Sequence, residues 1–432
     1  MKKILFALIA TCSIWTAADA QILQGLGRKM KDKVQERINS KIDKAANASL
    51  EKVEDKISGK NKEATKNDNQ PAMVTEKESL KSYSKFDFIA GEKIIYLDDF
   101  SKDPIGELPA KWNSNGKGEV IKVDKTPGKF LRLFPGTKYL SANTAAFGDN
   151  FTIEFDLIMD GTPPSGTRFY PDLAIGLFAA GRKPGTDNAF LDQYPKVENI
   201  TEILLKPNVD GASMSSLKSK GMANATTFES GAIAYKEYTA SFGHLAHYAI
   251  QVEKQRLRFW VDGHKVFDTP RAINLSPGLN QIYLNCFKYW FYNEDNFGLY
   301  VSNFKIATGI PKPAETLLTK GSFSTSGILF DPGSDQLKLQ SMGIIKDVSK
   351  YLTEDPAIKL KIIGYTDSDG QADANQQLSA KRAAAVKKVL INEFKIEASR
   401  LEALGKGETV PINDNKTESN KALNRRVEFV KG

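Results

Sequence analysis

The stretch Ile362-Ile-Gly-Tyr-Thr-Asp-Ser-Asp-Gly370 decides the fold of the C-terminal part of the chain. A short apolar run that ends in Gly, Ser and Asp is typical of a strand leading into a loop. Around it the hydrophobic period alternates between two and 3.6 residues. The predicted elements are strand 323–330, helix 337–352, strand 358–365, helix 376–394, strand 400–405 and strand 426–430. This βαβαβ order, over about 110 residues, predicts a compact α/β sandwich.

Short sequence pieces with chemical character stand in a fixed order around this stretch. They are Thr366-Asp367, Asn375, Leu378-Ser379, Lys381-Arg382-Ala383, Gly405-Lys-Gly-Glu408 with Pro411, and Asn424-Arg-Arg-Val-Glu428. In this order and spacing they closely resemble the OmpA-like peptidoglycan-associated domain family, over residues 318–432. The resemblance implies non-covalent binding to the bacterial cell wall.

The ligand that this resemblance implies has a defined chemistry. A free diaminopimelate end in a peptide stem offers an ammonium group beside a carboxylate, so a complementary site needs one anion and one bidentate cation. Asp367 can accept from the ammonium, and Arg382, on the following helix, can form two hydrogen bonds to the carboxylate. The family has these two roles at the positions that these residues match. The alternative interpretation is a structural ion pair between loop and helix.

The same resemblance extends the predicted peptidoglycan-binding site to further residues. These are Thr366 beside the aspartate, Asn375 to shape the loop and start the helix, Leu378 to pack beneath it, and Asn424 and Arg425 to shape the pocket. Arg426 is interpreted as structural. Tyr365 stands where the family usually has His, and Asn420-Lys421 where it usually has Gly-Arg. Lysine keeps the charge but loses the bidentate geometry, which should weaken affinity.

Residues 83–310 have a period of two, which predicts β-strands. Phe151–Met159 and Tyr248–Val252 alternate apolar and polar residues, and Leu257–Val261 runs into Asp262-Gly263, a favoured hairpin turn. Many short strands with Gly and Pro turns predict an all-β sandwich of two sheets. The strand pair 243–263 resembles that of laminin-G and concanavalin-like jelly rolls, which implies a lectin-like domain with a glycan or protein ligand.

Several residues of this predicted sandwich are candidate site residues. Glu154 and Asp156 are similar to the catalytic carboxylates of concanavalin-fold glucanases, but outward-facing alternation explains them better. His244 and His247, three apart on a strand, should point to opposite faces, so zinc is not expected. No cofactor is expected; the alternative is calcium bound by loop acids such as Asp98, Asp99 or Asp295. The aromatic residues considered for sugar stacking, with the core as the alternative, are Trp112, Tyr289, Trp290 and Tyr292.

The N-terminus predicts export. Lys2-Lys3, an apolar run to Ala18 and the Ala18-Asp19-Ala20 pattern read as a cleaved signal peptide over 1–20, with lipidation at Cys12 as the alternative. Residues 21–82 predict a charged amphipathic helix and a polar linker, which would lie on the next domain, form a stalk or bind a membrane surface. Cys286 is the only cysteine after the signal, so no intramolecular disulfide is expected and the thiol should be buried.

These segments together predict a multidomain protein of the Gram-negative envelope, in the periplasm or at the outer membrane. Hydrophobic residues at 41% indicate globular domains, and the net charge of +8 suits contact with anionic envelope polymers. Basic residues are interleaved with acidic ones and the chain is exported, so nucleic acid is not an expected partner. The predicted role is binding and structural rather than enzymatic. The alternatives are a wall-tethered glycan hydrolase and an accessory of an envelope assembly complex.

Overall fold

The computed structural model describes residues 86–432 except 144, 185, 193–195, 209–212, 222–223 and 236–241, and omits the side chains of Glu418 and Ser419. The predicted signal peptide and the predicted helix and linker of 21–82 therefore lie outside the described residues. All described residues belong to one compact unit, Thr75–Gly432. In this described part of the chain, no helix is long and apolar enough to cross a membrane.

The first β-sheet has eight antiparallel strands. They are β1 Lys93–Asp98, β3 Gly118–Ile121, β4 Phe130–Leu133, β6 Asn150–Gly161, β12 Ala246–Glu253, β13 Arg256–Val261, β14 His264–Thr269 and β16 Phe297–Thr308. The strand order is β14-β13-β12-β6-β16-β4-β3, and β1 also pairs with β16. The predicted Asp-Gly hairpin is confirmed between β13 and β14, where Asp262 and Gly263 both have positive φ.

The second β-sheet also has eight antiparallel strands. They are β2 Trp112–Ser114, β5 Thr137–Ser141, β7 Leu173–Phe178, β8 Ile200–Lys206, β9 Met214–Lys220, β10 Thr226–Glu229, β11 Ile233–Ala234 and β15 Gln281–Cys286. The order is β10-β9-β8-β7-β15-β5-β2, with β11 on β9.

A large hydrophobic core joins the two sheets. Alternate residues of β6, such as Ile153 and Phe155, share this core with Ile175 and Leu284 of the second sheet. Cys286 is fully buried within it, as predicted, and burial raises the pKa of its thiol. Strands β1 to β16 therefore form a two-sheet β-sandwich. The likeness of this sandwich to jelly rolls and lectins stays a prediction.

The C-terminal part has four helices and a four-stranded sheet. The elements are α1 Pro313–Lys320, β17 Ser322–Thr325, α2 Met342–Glu354, β18 Leu360–Gly364, α3 Ala372–Asn392, β19 Leu401–Gly405, α4 Glu418–Asn424 and β20 Val427–Lys431. The sheet order is β17-β20-β18-β19, and only β18 and β19 are parallel to each other. The predicted alternation of strand and helix is confirmed here.

Several boundaries in this part differ from the prediction. Helix α2 begins at Met342, five residues after the predicted start at 337, because Leu339–Ser341 forms a 3-10 turn instead. The first strand ends at Thr325, and Phe330 makes only an isolated bridge to Leu337, because Gly327 interrupts the predicted strand. Helix α3 begins at Ala372, four residues before the predicted start. Helices α1 and α4 were not predicted.

A second core contains residues from both the sandwich and the C-terminal part. The rings of Phe86 and Phe88 lie against Trp260, with centroids 6.1 and 5.4 Å from it, and all three side chains are fully buried among residues of α2, β18 and α3. Gly343 of α2 approaches the backbone so closely that a Cβ there would stand 1.7 Å from the carbonyl oxygen of Phe88. The outer face of the first sheet is thus partly covered by the C-terminal part.

Candidate functional site

The site is built where strands β18 and β19 end beneath helix α3. Gly364 and Gly405 lie opposite each other in the parallel pair. A Cβ on Gly364 would stand 2.3 Å from the carbonyl oxygen of Ser379, and one on Gly405 would stand 2.4 Å from the nitrogen of Ala380. Because both positions lack a side chain, α3 can lie directly on the strand ends. The loop that follows β18 is thereby held against the N-terminal half of this helix.

Asp367, in this loop, is a buried carboxylate with only 7% of its surface exposed. Its Oδ2 accepts a hydrogen bond from the Arg425 guanidinium, and its Oδ1 accepts one from the backbone N–H of Asp369 at 3.2 Å. Each carboxylate oxygen of Asp367 thus accepts one hydrogen bond from the protein, which fixes the orientation of the carboxylate. A buried carboxylate held in this way is a strong acceptor for a second cation.

Arg382, on α3, lies close enough to Asp367 and Arg425 to interact electrostatically with both. Its Nε donates to the carbonyl oxygen of Ser334 at 3.0 Å, and its guanidinium carbon lies 5.0 Å from the ring centroid of Phe330. Burial lowers the pKa of Arg382; the charge of Arg425 acts in the same direction, and that of Asp367 opposes it. Among the contacts of the described residues, Asp367 forms its ion pair with Arg425 and not with Arg382. The loop–helix ion pair weighed from the sequence is therefore not the arrangement seen.

Asn375 fixes the shape of the loop. It is buried in the first turn of α3, and its Nδ2 donates to Asp369 O at 3.0 Å, to Glu408 Oε2 at 2.6 Å and, more weakly, to Asp367 O at 3.4 Å. The helix itself begins three residues earlier, with Gln371 at the cap. Leu378 is half-buried and lies outside the described hydrophobic core, to which α3 contributes Val386 and Leu390.

Asn424 and its neighbours close the opposite side of the site. Asn424 is fully buried, and its side chain bonds to the backbone of Ile412 and Asn413 and to the side chain of Asn415, at 2.9 to 3.0 Å. It thereby positions Arg425 beside Asp367. Arg426 stacks on Tyr365, with its guanidinium carbon 3.6 Å from the ring centroid.

Tyr365 stands where the resemblance leads one to expect a histidine, and its side chain is hydrogen-bonded to a residue of strand β20. Its hydroxyl donates to Glu428 Oε2 at 2.8 Å. Burial and then the Glu428 carboxylate raise the pKa of Tyr365 to about 12. This side chain therefore stays neutral at physiological pH.

Thr366 carries an unsatisfied group. Its backbone N–H donates to Gly407 O at 3.0 Å, but its buried Oγ1 has no hydrogen-bond partner within the described part of the chain. Buried hydroxyls without a partner are uncommon and need an explanation. Thr366 adjoins Asp367, so this hydroxyl belongs to the same loop as the carboxylate.

Sequence reasoning missed several residues of this site. Ser334 and Phe330 hold Arg382, and Glu408 holds Asn375. Lys421 extends its Nζ to 2.8 Å from Asp369 Oδ1. Glu408 and Lys421 belong to the sequence motifs named above. Their partners, Asn375 and Asp369, are far away in the sequence, so local spacing could not predict these contacts.

The sandwich contains a second charged cluster, on the outer face of the first sheet. His247 lies between Glu154, at 3.4 Å, and Asp156, at 2.8 Å, and Lys305 Nζ lies 2.6 Å from Glu154. Burial alone would raise the pKa of Glu154, but His247 and Lys305 outweigh it and hold it at about 2. Burial would lower the pKa of His247, but the two carboxylates raise it to about 9.

This cluster differs from the sequence interpretation of Glu154 and Asp156 as outward-facing polar residues. Glu154 is buried, because part of this face is covered by the C-terminal part of the chain. Glycoside hydrolysis needs one carboxylic acid with a raised pKa. Glu154 is held ionised and therefore cannot be that acid, and Asp156 is hydrogen-bonded to His247 and Asn303.

The other residues of the sandwich that were candidates for sugar or metal binding differ in burial and position. Trp112 and Tyr292 are buried and Tyr289 is half-buried, whereas Trp290 is exposed. His244 precedes strand β12 and is not part of it. Among the described residues, no group of three or more His, Cys, Asp and Glu could hold a metal ion, so Asp98, Asp99 and Asp295 form no such group.

Comparison with known proteins identifies the class of the C-terminal part. Residues 329–425 match the model of the OmpA family, so the predicted OmpA-like domain is confirmed over these residues. Several curated relatives match this part of the chain, among them the following three. Outer membrane porin F of Pseudomonas aeruginosa is 37% identical over 122 residues, 28% of this chain and 33% of that protein. The probable lipoprotein YiaD of Escherichia coli is 40% identical over 104 residues, 24% of this chain and 47% of that protein.

The third relative is the outer-membrane lipoprotein YfiB of Pseudomonas aeruginosa, 32% identical over 106 residues, 24% of this chain and 62% of that protein. The chain thus spans about a third of the first curated relative and less than two thirds of the others. Among solved structures, the peptidoglycan-associated lipoprotein from Burkholderia pseudomallei is 28% identical. That alignment covers 28% of this chain and 99% of that one, with a TM-score of 0.25.

Proposed function

We propose that this chain is a non-catalytic cell-envelope protein that binds peptidoglycan through its OmpA-like domain, at the diaminopimelate of the stem peptide. The observation that carries the proposal is the buried Asp367 carboxylate with two guanidinium groups, of Arg382 and Arg425, in its electrostatic range. A zwitterionic amino acid end requires one anion and at least one cation side by side. The loop offers the anion Asp367, and helix α3 and the end of helix α4 offer the cations Arg382 and Arg425.

The roles of the charged residues follow from their contacts. The ligand ammonium donates to Asp367, whose Oδ2 is shared with Arg425. The Nε of Arg382 is already used by Ser334, so its terminal nitrogens remain to bind the ligand carboxylate. Because Arg382 is partly desolvated, its bond to a carboxylate is stronger than one at an exposed site.

The neutral residues of the site have supporting roles. The Thr366 hydroxyl supplies a further hydrogen bond to the ligand, which accounts for its lack of a partner within the chain as described. Asn375 and Asn424 hold the two loops at a fixed separation, and Leu378, half-buried on α3, provides an apolar contact.

The proposed location is the periplasmic side of the outer membrane. The curated relatives include an outer membrane porin and an outer-membrane lipoprotein. The predicted signal peptide over 1–20 supports export to the same compartment. The sandwich, in this proposal, is a lectin-like domain that is displayed by attachment to the wall.

Co-sedimentation of the full chain with purified sacculi tests this function. The variants Asp367→Ala and Arg382→Ala should lose most of the pelleted fraction, whereas Arg256→Ala should not. Arg256 is a matched control because it pairs with Asp268 on the exposed edge of the sandwich. Urea unfolding of each variant establishes that the fold is kept. Unchanged pelleting of both site variants, with intact folds, contradicts the proposal.

A further inference from the structure

The two sheets of the sandwich end together in loops 162–172 and 287–296, which we call the loop end. Loop 162–172 connects β6 to β7, and loop 287–296 connects β15 to β16. Three aromatic side chains on these loops face solvent: Trp290 is 93% exposed, Phe291 60% and Phe169 57%. Large aromatic residues exposed to this extent as neighbours are not expected on a surface that meets only water.

The loop end presents these rings on a fixed backbone. The Tyr292 hydroxyl donates to Phe169 O at 2.6 Å and so joins the two loops. Asn296 Nδ2 donates to Phe291 O at 2.9 Å, and Asn293 Oδ1 accepts from Asp295 N at 2.9 Å. The exposed rings are therefore held outward by a bonded loop.

A layer of packed aromatics supports the exposed rings from below. Tyr170 lies 6.0 Å from Tyr292 and 6.2 Å from Phe297 between ring centroids, and it lies 4.2 Å from Phe242. Such packing is rigid, so the outer rings cannot fold back into the core without disturbing it. The packing beneath them therefore keeps Trp290, Phe291 and Phe169 exposed at the loop end.

The apolar surface here is spread across the whole end and does not form a groove. Three more exposed apolar side chains stand where other strands begin at this end: Met214 at 41%, Leu245 at 40% and Ile233 at 39%. At 93% exposure, neither face of the Trp290 ring rests on the protein. A sugar ring would stack on one supported ring, whereas exposed apolar side chains spread across this end suit a broad partner surface.

The charge at the loop end is close to balanced in the residues described. Lys117 pairs with Glu294 at 3.1 Å, Asp172 is bonded to Tyr289, and Lys288 lies 5.9 Å from the Trp290 ring. A strongly anionic surface would call for an excess of cations, which this end does not have. Trp and Phe prefer the boundary between lipid headgroups and acyl chains, and a zwitterionic surface makes no demand for net charge.

We infer that the loop end inserts Trp290, Phe291 and Phe169 into the headgroup boundary of a zwitterionic lipid surface. The proposed wall-binding site lies in a different part of the fold, and this inference does not rest on it. A chain whose loop end inserts into a lipid surface and whose OmpA-like domain binds the cell wall would join the membrane to the peptidoglycan layer.

Quenching of Trp290 by vesicles of phosphatidylcholine brominated in the acyl chains tests the inference. The full chain is used with Trp15→Phe, which removes the tryptophan of the N-terminal segment. Trp112 and Trp260 are buried and cannot reach lipid, so quenching reports on Trp290. We expect strong quenching, and none once Trp290→Phe is added.

The apolar neighbours provide the second measurement. In the same background, Phe169→Ala with Phe291→Ala should raise the lipid concentration for half-maximal quenching by about tenfold or more. Leu275→Ala is the matched control, because Leu275 is 43% exposed between β14 and β15, away from the loop end, and it should leave the titration unchanged.

Three results overturn the inference. The first is vesicle binding without quenching of Trp290, which means that another segment meets the lipid. The second is quenching that disappears in about 0.5 M salt. Salt at this concentration screens exposed charges beyond a few ångströms, so such a loss means electrostatic adsorption and not insertion of apolar side chains. The third is a change of Trp290 fluorescence with a soluble N-acetylglucosamine hexamer but not with vesicles, which means a glycan site. None of these three results changes the expected co-sedimentation with sacculi. The lipid inference can therefore be overturned without overturning the wall-binding proposal, and the reverse also holds.

Discussion

Replacing Gly343 by alanine should destabilise the whole described unit, because it pushes helix α2 away from the segment that carries Phe88. The new Cβ would stand 1.7 Å from the carbonyl oxygen and 2.5 Å from the carbonyl carbon of Phe88. An ordinary C···O approach is about 3.3 Å, so the gap must widen by about 1.6 Å. Both obstacles are backbone atoms, so no side chain can rotate away to make room.

The magnitude follows from two opposing effects. Alanine in place of glycine gains at most about 1 kcal/mol of helix propensity, and less in a first turn. Overpacking costs about 1–3 kcal/mol, and widening this gap also loosens the contacts of Phe86 and Phe88 with Trp260. We expect the free energy of unfolding to fall by roughly 1–3 kcal/mol.

Urea unfolding followed by tryptophan fluorescence and by circular dichroism measures this change. Gly231→Ala is the matched control, since Gly231 has no neighbour within 4 Å of the added Cβ, and it should shift stability by less than about 0.5 kcal/mol. If Gly343→Ala proves as stable as the parent chain, the shared core is not packed as described.

Three further predictions concern single residues. The pKa of His247 is raised from 6.5 to about 9 in the fold, so its stabilising contribution is complete below pH 6.5 and is lost as pH rises through 9. His247→Gln should flatten the decline of unfolding free energy between those values in urea titrations, by up to about 3 kcal/mol, and an unaltered slope would contradict this. Cys286, buried and with a raised thiol pKa, should react with a disulfide reagent only after urea unfolding; rapid labelling of the native chain would disagree. Asn424→Ala should lower the unfolding free energy by about 1–3 kcal/mol, because it leaves the backbone of Ile412 and Asn413 without buried partners, and thermal melting equal to the parent would refute it.

The alternation of elements in the C-terminal part could be predicted because each long element has one unbroken period. Strand β18 and helix α3 were found from their apolar spacing, with errors at their ends. Helix α4 was missed, since seven residues with few apolar positions give no helical period. The pairing of Asp367 with Arg425 could not be deduced, because the two are 58 residues apart and only the folded sheet brings them together.

The sandwich shows a different limit of sequence reasoning. Alternation along β6 correctly separates inner residues such as Ile153 and Phe155 from outer ones. It cannot tell whether the outer face meets water or another part of the chain, so Glu154 was expected to be exposed. The charge cluster around Glu154 depends on which strands lie beside β6, and that order is a property of the tertiary fold.

Recognition of peptidoglycan is tested most directly by the affinity of the full chain for a soluble stem peptide that ends in diaminopimelate, measured by calorimetry. The same peptide with lysine in that place lacks the carboxylate beside the terminal ammonium. We expect clear binding of the first peptide and much weaker binding of the second. Asp367→Ala and Arg382→Ala should each weaken the first by about 30-fold or more, equivalent to at least about 2 kcal/mol. Equal affinity for both peptides, or binding unchanged in both variants, would contradict the claim that this loop and helix hold the cell wall.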